Sequence, residues 1–174
     1  MSDEQKYDAA LQAAIGFFKA AGYTWDEATG TFTAAPEGAS MSYEVMIPGM
    51  GQQDHPAYGV AVAASEALKT IGIDLVVNDV GDETWNNALE GNTAQIWAAA
   101  WKSTPDPDMY QVYHSRNANG QNTNSNHYQI VDETLDELIL DARASSDNAY
   151  RKATYKECLE IILSWGVELP LYQR

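Results

Sequence analysis

From Tyr43 to Val77 the apolar residues change their spacing from every second position to every third or fourth and back again, which confines the chain to folds built on parallel strands. Tyr43, Val45 and Ile47 alternate with Glu44 and Met46, and Pro48-Gly49 closes the run, so this stretch is predicted to be a strand. Ala57, Ala61, Ala64, Leu68 and Ile71 then recur at helical spacing from Pro56 to Ile71, with Gly72 as the stop. Ile73, Leu75 and Val77 form the next strand. A helix of that length between two strands makes a βαβ unit, with parallel strands and a right-handed crossover.

The pattern continues once more. Asp82 to Leu89 reads as a short helix, Glu90-Gly91-Asn92 as its exit, and Ala94 to Trp101 as an unbroken apolar strand, buried on both faces and central in the sheet. Open α/β sheets bind ligands just beyond the carboxyl ends of their strands, so the polar continuation from Lys102 to Pro107 is expected at a ligand edge. Earlier in the chain, Leu11, Ala14, Ile15 and Phe18 put an inward stripe on a helix from about Tyr7 to Ala21, ended by Gly22. Residues 24–40 alternate weakly around Gly30, as a hairpin or irregular loop. Beyond the ligand edge, Asp106 or Asp108 can cap a helix through Met109, Tyr110 and Val112. Two longer helices follow, one capped by Asp132 with Val131, Leu135, Leu138 and Ala142 inward, and one introduced by Asp147 and running to about Trp165. Glu168 to Tyr172 reads as a closing strand.

With 174 residues, 45% of them hydrophobic, the chain has apolar material for one packed core, and a single domain is expected. Its 25 acidic against 10 basic residues give a formal net charge of −15, which repels phosphate backbones and anionic membranes and argues against a nucleic-acid partner. The same acidity keeps many envelope proteins soluble and does not identify a ligand. Cys158 stands alone and cannot form an internal disulfide; it shares a helical face with Tyr155, Leu159 and Ile162 and reads as a small buried hydrophobe. No run approaches the about 18 apolar residues of a membrane span. Met1-Ser2-Asp3-Glu4 is too acidic to open a signal peptide, so the start reads as an artificial boundary.

Catalysis finds little support. His55, His114 and His127 have no spacing that places two on one helical face for a metal, and they read as surface or capping residues. Asp106 and Asp108 form a carboxylate pair of the kind a glycosidase uses, but beside Pro105 and Pro107 they more simply make a turn and a helix cap. The Asn-rich run from Asn117 to Asn126 offers no carboxylate for calcium and reads as a solvated loop. Phosphate-loop, nucleophile-elbow and zinc-knuckle patterns are missing, so no catalytic residue, metal or cofactor is assigned. Aromatic surface is the stronger signal. Trp97 has all-apolar neighbours and reads as core, whereas Trp85 and Trp101 border polar residues, among them Lys102, Ser103 and Thr104, and are open to either fate, core or cleft.

Trp85, then Trp101-Lys-Ser-Thr-Pro-Asp106-Pro107-Asp108, then Tyr128, Val131-Asp132, Arg151 and Leu169-Pro-Leu-Tyr172 resemble, in that order, the family 5 extracellular solute-binding proteins. Tyr7-Asp8 through Phe18-Lys-Ala-Ala-Gly-Tyr23 and Leu68-Lys-Thr-Ile-Gly-Ile73 add to the likeness, which spans essentially the whole chain. The resemblance implies an α/β, periplasmic-binding-protein-like lobe: a mixed, mostly parallel sheet flanked by helices. It also implies a two-lobed, extracytoplasmic protein, in the periplasm or as a cell-surface lipoprotein. Such a protein holds oligopeptides or other small polar solutes between its lobes and delivers them to the permease of an ABC importer. The chain then corresponds to part of a C-terminal lobe without its N-terminal lobe.

By the same resemblance Trp85 and Trp101 line side-chain pockets, with Lys102, Ser103, Thr104 and Asp106 beside them. One departure bears on the ligand. Where peptide binders of the family carry an aspartate for the peptide's ammonium, this chain has Thr104, whose hydroxyl accepts a hydrogen bond but brings no charge. Either Asp106 serves instead or the ligand lacks a free amino terminus. A protein-interaction or structural domain, and a glycosidase-like enzyme using Asp106 and Asp108, are the alternative readings.

Overall fold

The computed structural model describes residues 1–102 and 105–171. Among them the secondary structure runs α1 (Asp3–Ala20), β1 (Thr24–Asp26), β2 (Thr31–Ala34), β3 (Ser42–Ile47), α2 (Tyr58–Thr70), β4 (Asp74–Asp79), α3 (Asp82–Glu90), β5 (Ile96–Trp97), α4 (Tyr110–Tyr113), a short 3₁₀ turn (Ser115–Asn117), α5 (Glu133–Ala144) and α6 (Asn148–Trp165). The chain gathers into two compact units, residues 1–85 with 94–99, and residues 86–93 with the described residues from Ala100 onward.

In the first unit β3 and β4 pair in parallel, Tyr43 against Leu75 and Val45 against Val77, as a βαβ unit requires. The strand order is β4-β3-β5, all parallel, and β1 and β2 form a separate antiparallel hairpin. One face of the sheet buries Val45, Ile47 and Leu75 under Tyr58, Ala61, Ala64 and Leu68 of α2. A second cluster joins Ile15 of α1 to Tyr23, Phe32, Ile71 and Ile73. Gly72 makes that join possible. Its φ of +83° is left-handed, and a Cβ there would sit 2.7 Å from the Phe32 carbonyl oxygen, while Phe32 N–H donates to the Ile71 carbonyl at 2.8 Å. Helix α1 starts earlier than Tyr7 because Ser2 and Gln5 form a reciprocal capping box.

The expected central strand is the main correction. Only Ile96 and Trp97 pair, they lie at the sheet's edge, and β3 is the centre. Ile96 is 43% exposed and Ala99, Ala100 and Trp101 are exposed, so the run is not buried on both faces. Trp97 is half-buried. The reason is volume: a string of alanines scores as apolar but fills little of a sheet face and has weak strand preference. Glu168–Leu171 form no strand either, and Tyr172 lies outside the described residues.

The second unit packs α5 against α6 around Ile130, Leu135, Ile139, Ala142, Tyr155, Cys158 and Ile162. Asp132 and Asp147 cap the two helices through Leu135 N–H and through Ala149 and Tyr150 N–H. Each fully buried Leu or Ile here is worth roughly 1.5–3 kcal/mol. Burial pushes the Cys158 thiol above its ordinary value, as befits a core residue. Two inward assignments are corrected: Ile130 is buried in place of Val131, and Leu159 faces solvent.

The Asn-rich loop is not simply solvated. Asn117 and Asn126 have 0% exposure. Asn126 Nδ2 donates to the carbonyls of Tyr113, His114 and Ile130 at 3.2, 3.3 and 2.9 Å, and its Oδ1 accepts from Ile130 N–H at 3.2 Å. Asn117 Nδ2 donates to the Tyr110 carbonyl at 2.9 Å, and its Oδ1 accepts from Asn122 and Thr123. His114, expected at the surface or in a cap, is buried, and its Nδ1 accepts from Arg116 N–H as a cap.

Candidate functional site

In the first unit the carboxyl ends of β3 and β4 are knitted together. Val80 N–H donates to the Ile47 carbonyl and Met50 N–H to the Val80 carbonyl, each at 2.9 Å, and Gln53 N–H donates to Asp79 Oδ2 at 2.8 Å. Gly49 lies so close to the Asp79 carboxylate that any side chain there would collide with it. Asp79 Oδ1 is enclosed and has no hydrogen-bond partner among the described residues. Sequence reasoning did not single out Asp79, and read Gly49 only as part of the stop that closes a strand. The signal was available in Pro48-Gly49-Met50-Gly51, a turn-rich run at the end of a strand.

Trp85 follows on α3, where Trp85 N–H donates to the Gly81 carbonyl at 3.0 Å in the first turn. Its ring is half-buried, and its indole N–H is enclosed without an acceptor among the described residues. An enclosed donor left unpaired is costly in a protein interior and is satisfied in most native structures.

Trp101, Lys102 and Asp106 belong to the second unit, whereas Trp85 belongs to the first. Trp101 is 53% exposed and Lys102 is also exposed. Ser103 and Thr104 lie outside the described residues. The segment that follows is held by charge. Arg151 Nη2 lies 2.8 Å from Asp106 Oδ1 and donates to the Pro107 carbonyl at 3.1 Å. Arg143 Nε lies 3.2 Å from Asp108 Oδ2, with its guanidinium 4.4 Å from the centre of the Tyr110 ring. Asp108 Oδ1 also accepts from Tyr110 N–H at 2.9 Å, but the cap position of α4 is taken by Met109 without a side-chain bond, so neither Asp106 nor Asp108 is the expected cap. The Asp106 carboxylate holds the Arg151 guanidinium above its ordinary pKa.

Both carboxylates of the pair weighed for acid–base chemistry are thus engaged by guanidinium groups, which is an arrangement for fixing a turn. Among the described residues no three His, Cys, Asp or Glu side chains gather as a metal-binding group, and no helix is long and apolar enough to cross a membrane. Farther along, Tyr113 and Tyr128 stack with ring centres 5.7 Å apart, and the Tyr113 hydroxyl donates to Glu168 at 2.5 Å. Burial and that carboxylate together push both phenols well above their ordinary range. This contact ties the segment after α6 to the last residue of α4.

No family model and no curated protein sequence matches the chain. Solved structures do. The oligopeptide-binding protein AppA from Bacillus subtilis, in complex with a nonapeptide, superposes with a TM-score of 0.71 at 20% identity over 91% of this chain. NikZ from Campylobacter jejuni, in complex with Ni(L-His), gives 0.67 at 20% identity over 85% of the chain. The ABC transporter-associated periplasmic binding protein DppA from Helicobacter pylori, in complex with the peptide STSA, gives 0.62 at 21% identity over 75%. This chain spans 29%, 29% and 25% of those three proteins. The resemblance seen in the sequence holds at the level of the fold: the chain has the α/β architecture, a parallel sheet flanked by helices, of a segment of these solved binding proteins.

Proposed function

We propose that the chain is part of the C-terminal lobe of an extracytoplasmic substrate-binding protein that holds an oligopeptide or similar small polar solute for an ABC importer, without catalysing a reaction. The observation that carries this reading is the superposition on peptide-bound AppA over nine tenths of the chain. Trp85, Trp101 and Lys102 are its ligand contacts, with Ser103 and Thr104 between Lys102 and Asp106 in the same segment. Trp101 suits the role because an exposed indole offers rigid apolar area and one donor, and Trp85 because its enclosed N–H awaits an acceptor. In the full protein an N-terminal lobe supplies the rest of the cleft and the importer's permease receives the solute.

Titration with oligopeptides of the chain rejoined to its N-terminal lobe, followed by tryptophan fluorescence, tests the reading, since half a cleft binds poorly by itself. A saturable response is expected, with affinity falling roughly tenfold in Trp101→Ala, since each tenfold corresponds to about 1.4 kcal/mol. A flat response to peptides, oligosaccharides and Ni(L-His) alike overturns it.

A further inference from the structure

We infer that Met50 is a ligand contact: held at the carboxyl end of the sheet on a fixed backbone, its thioether lines a subsite for a large apolar side chain of a bound oligopeptide. The inference rests on the binding reading above and adds to it the kind of side chain the solute carries.

Three observations carry it, all within the first unit. The first is backbone conformation. Seven non-glycine residues among those described have φ between +48° and +60°; four are asparagine, two are glutamine, and Met50, at +58°, is the one with an apolar side chain. A left-handed backbone crowds the Cβ against the following carbonyl, which asparagine offsets by hydrogen-bonding locally and methionine cannot. Glycine stands on both sides, at Gly49 and Gly51, yet the strained position between them keeps a long side chain.

The second is how that side chain is held. Met50 N–H donates to the Val80 carbonyl at 2.9 Å, Gln52 N–H to the Gly49 carbonyl at 3.0 Å and Gln53 N–H to the Asp79 carboxylate at 2.8 Å, so the turn after β3 is bolted to the end of β4. These are the carboxyl ends of the central strand and its parallel neighbour, where open α/β sheets bind ligands. The third is what lies beside it. Met50 is 61% exposed, and its sulfur lies 3.8 Å from where a Cβ on Gly81 would stand. Gly81 immediately precedes α3, and its carbonyl accepts from Trp85 N–H at 3.0 Å. The thioether therefore reaches the residue that anchors the helical turn carrying Trp85.

A methionine exposed on a relaxed, free loop needs no explanation, because single apolar residues are common at surfaces. Here the backbone is strained and fixed, and burial of the side chain does not offset the strain. Residues kept in sparsely populated conformations gather at ligand clamps and active sites. A thioether is polarisable and its chain unbranched, so such a subsite accepts leucine, methionine or phenylalanine by changing rotamer and discriminates weakly among them. Small side chains gain little there.

Calorimetric affinities for alanine tetrapeptide and its four single-leucine variants test this, measured on the chain rejoined to its N-terminal lobe, unsubstituted and as Met50→Asn and Met50→Leu. Met50→Asn is expected to lower the leucine-over-alanine preference roughly fivefold at one peptide position and to leave it unchanged at the other three, whereas Met50→Leu retains it. The thermal midpoint of Met50→Asn is expected to be no lower than that of the unsubstituted protein, since asparagine suits this backbone. Unchanged preferences at all four positions overturn the inference. So does weakening of all five peptides by one common factor, which a turn that merely shapes the cleft would give. A lowered midpoint in Met50→Asn assigns the methionine to stability and overturns it as well. If the unsubstituted protein binds none of the five peptides, the binding reading itself fails and this contact falls with it.

Discussion

The two units hold their loops in opposite ways. In the first, the hairpin and the connections of the sheet are carried by apolar clusters around Phe32, Ile73 and Ile47, and glycine permits close approach, of the Phe32 backbone at Gly72 and of the Asp79 carboxylate at Gly49. In the second, the helix pair has an ordinary apolar core, but the loop from Asn117 to Ile130 is organised by two buried asparagines whose amides replace a ladder of backbone hydrogen bonds. Asn119, Asn122 and Asn124 adopt φ between +48° and +54°, a region that asparagine tolerates better than most side chains. Asparagine there supplies turn geometry and hydrogen bonds together. Polar composition therefore does not mean a solvated loop: satisfied amides can specify a segment as tightly as packed methyl groups.

That contrast is open to direct challenge. If the polar interior of the second unit matters as much as the apolar interior of the first, Asn126→Leu should cost the most, about 4 kcal/mol, because it strands the Ile130 N–H and three carbonyls in a dry site. Urea unfolding gives the value; a cost no greater than the about 1 kcal/mol of Ile139→Val in the neighbouring apolar core would erase the distinction. Gly72→Ala should come next at about 3 kcal/mol, from a left-handed backbone and a Cβ pressed against the Phe32 carbonyl. Its thermal midpoint should fall well below that of Gly59→Ala, where a Cβ meets open space.

The smallest effect is a pH dependence at His127. Burial holds this imidazole below its ordinary value of 6.5, opposed in part by a hydrogen bond to the Leu89 carbonyl. The unfolded chain therefore takes up a proton that the folded chain does not, so stability falls as pH drops through the ordinary imidazole range and levels off below the folded value. His127→Phe should flatten that slope relative to the unsubstituted chain, as read from denaturant midpoints between neutral and mildly acidic pH.

Much of the architecture was legible in the sequence because periodicity reports which side of an element is dry. The strand at Tyr43–Ile47, the helix ending at Gly72 and the caps at Asp132 and Asp147 all follow from local patterns, and the order of motifs around Trp101 pointed to the fold that the superpositions bear out. The candidate site was legible only as a stretch of chain. That Ala94–Trp101 contributes two paired residues at an edge, that Asp106 meets Arg151 across 45 positions, and that Asn117 and Asn126 are buried all depend on partners distant in sequence. Composition along a segment records what a residue prefers on average. Where a carboxylate or an amide ends up is set by which donor the folded chain brings within about 3 Å, and only the tertiary structure supplies that donor.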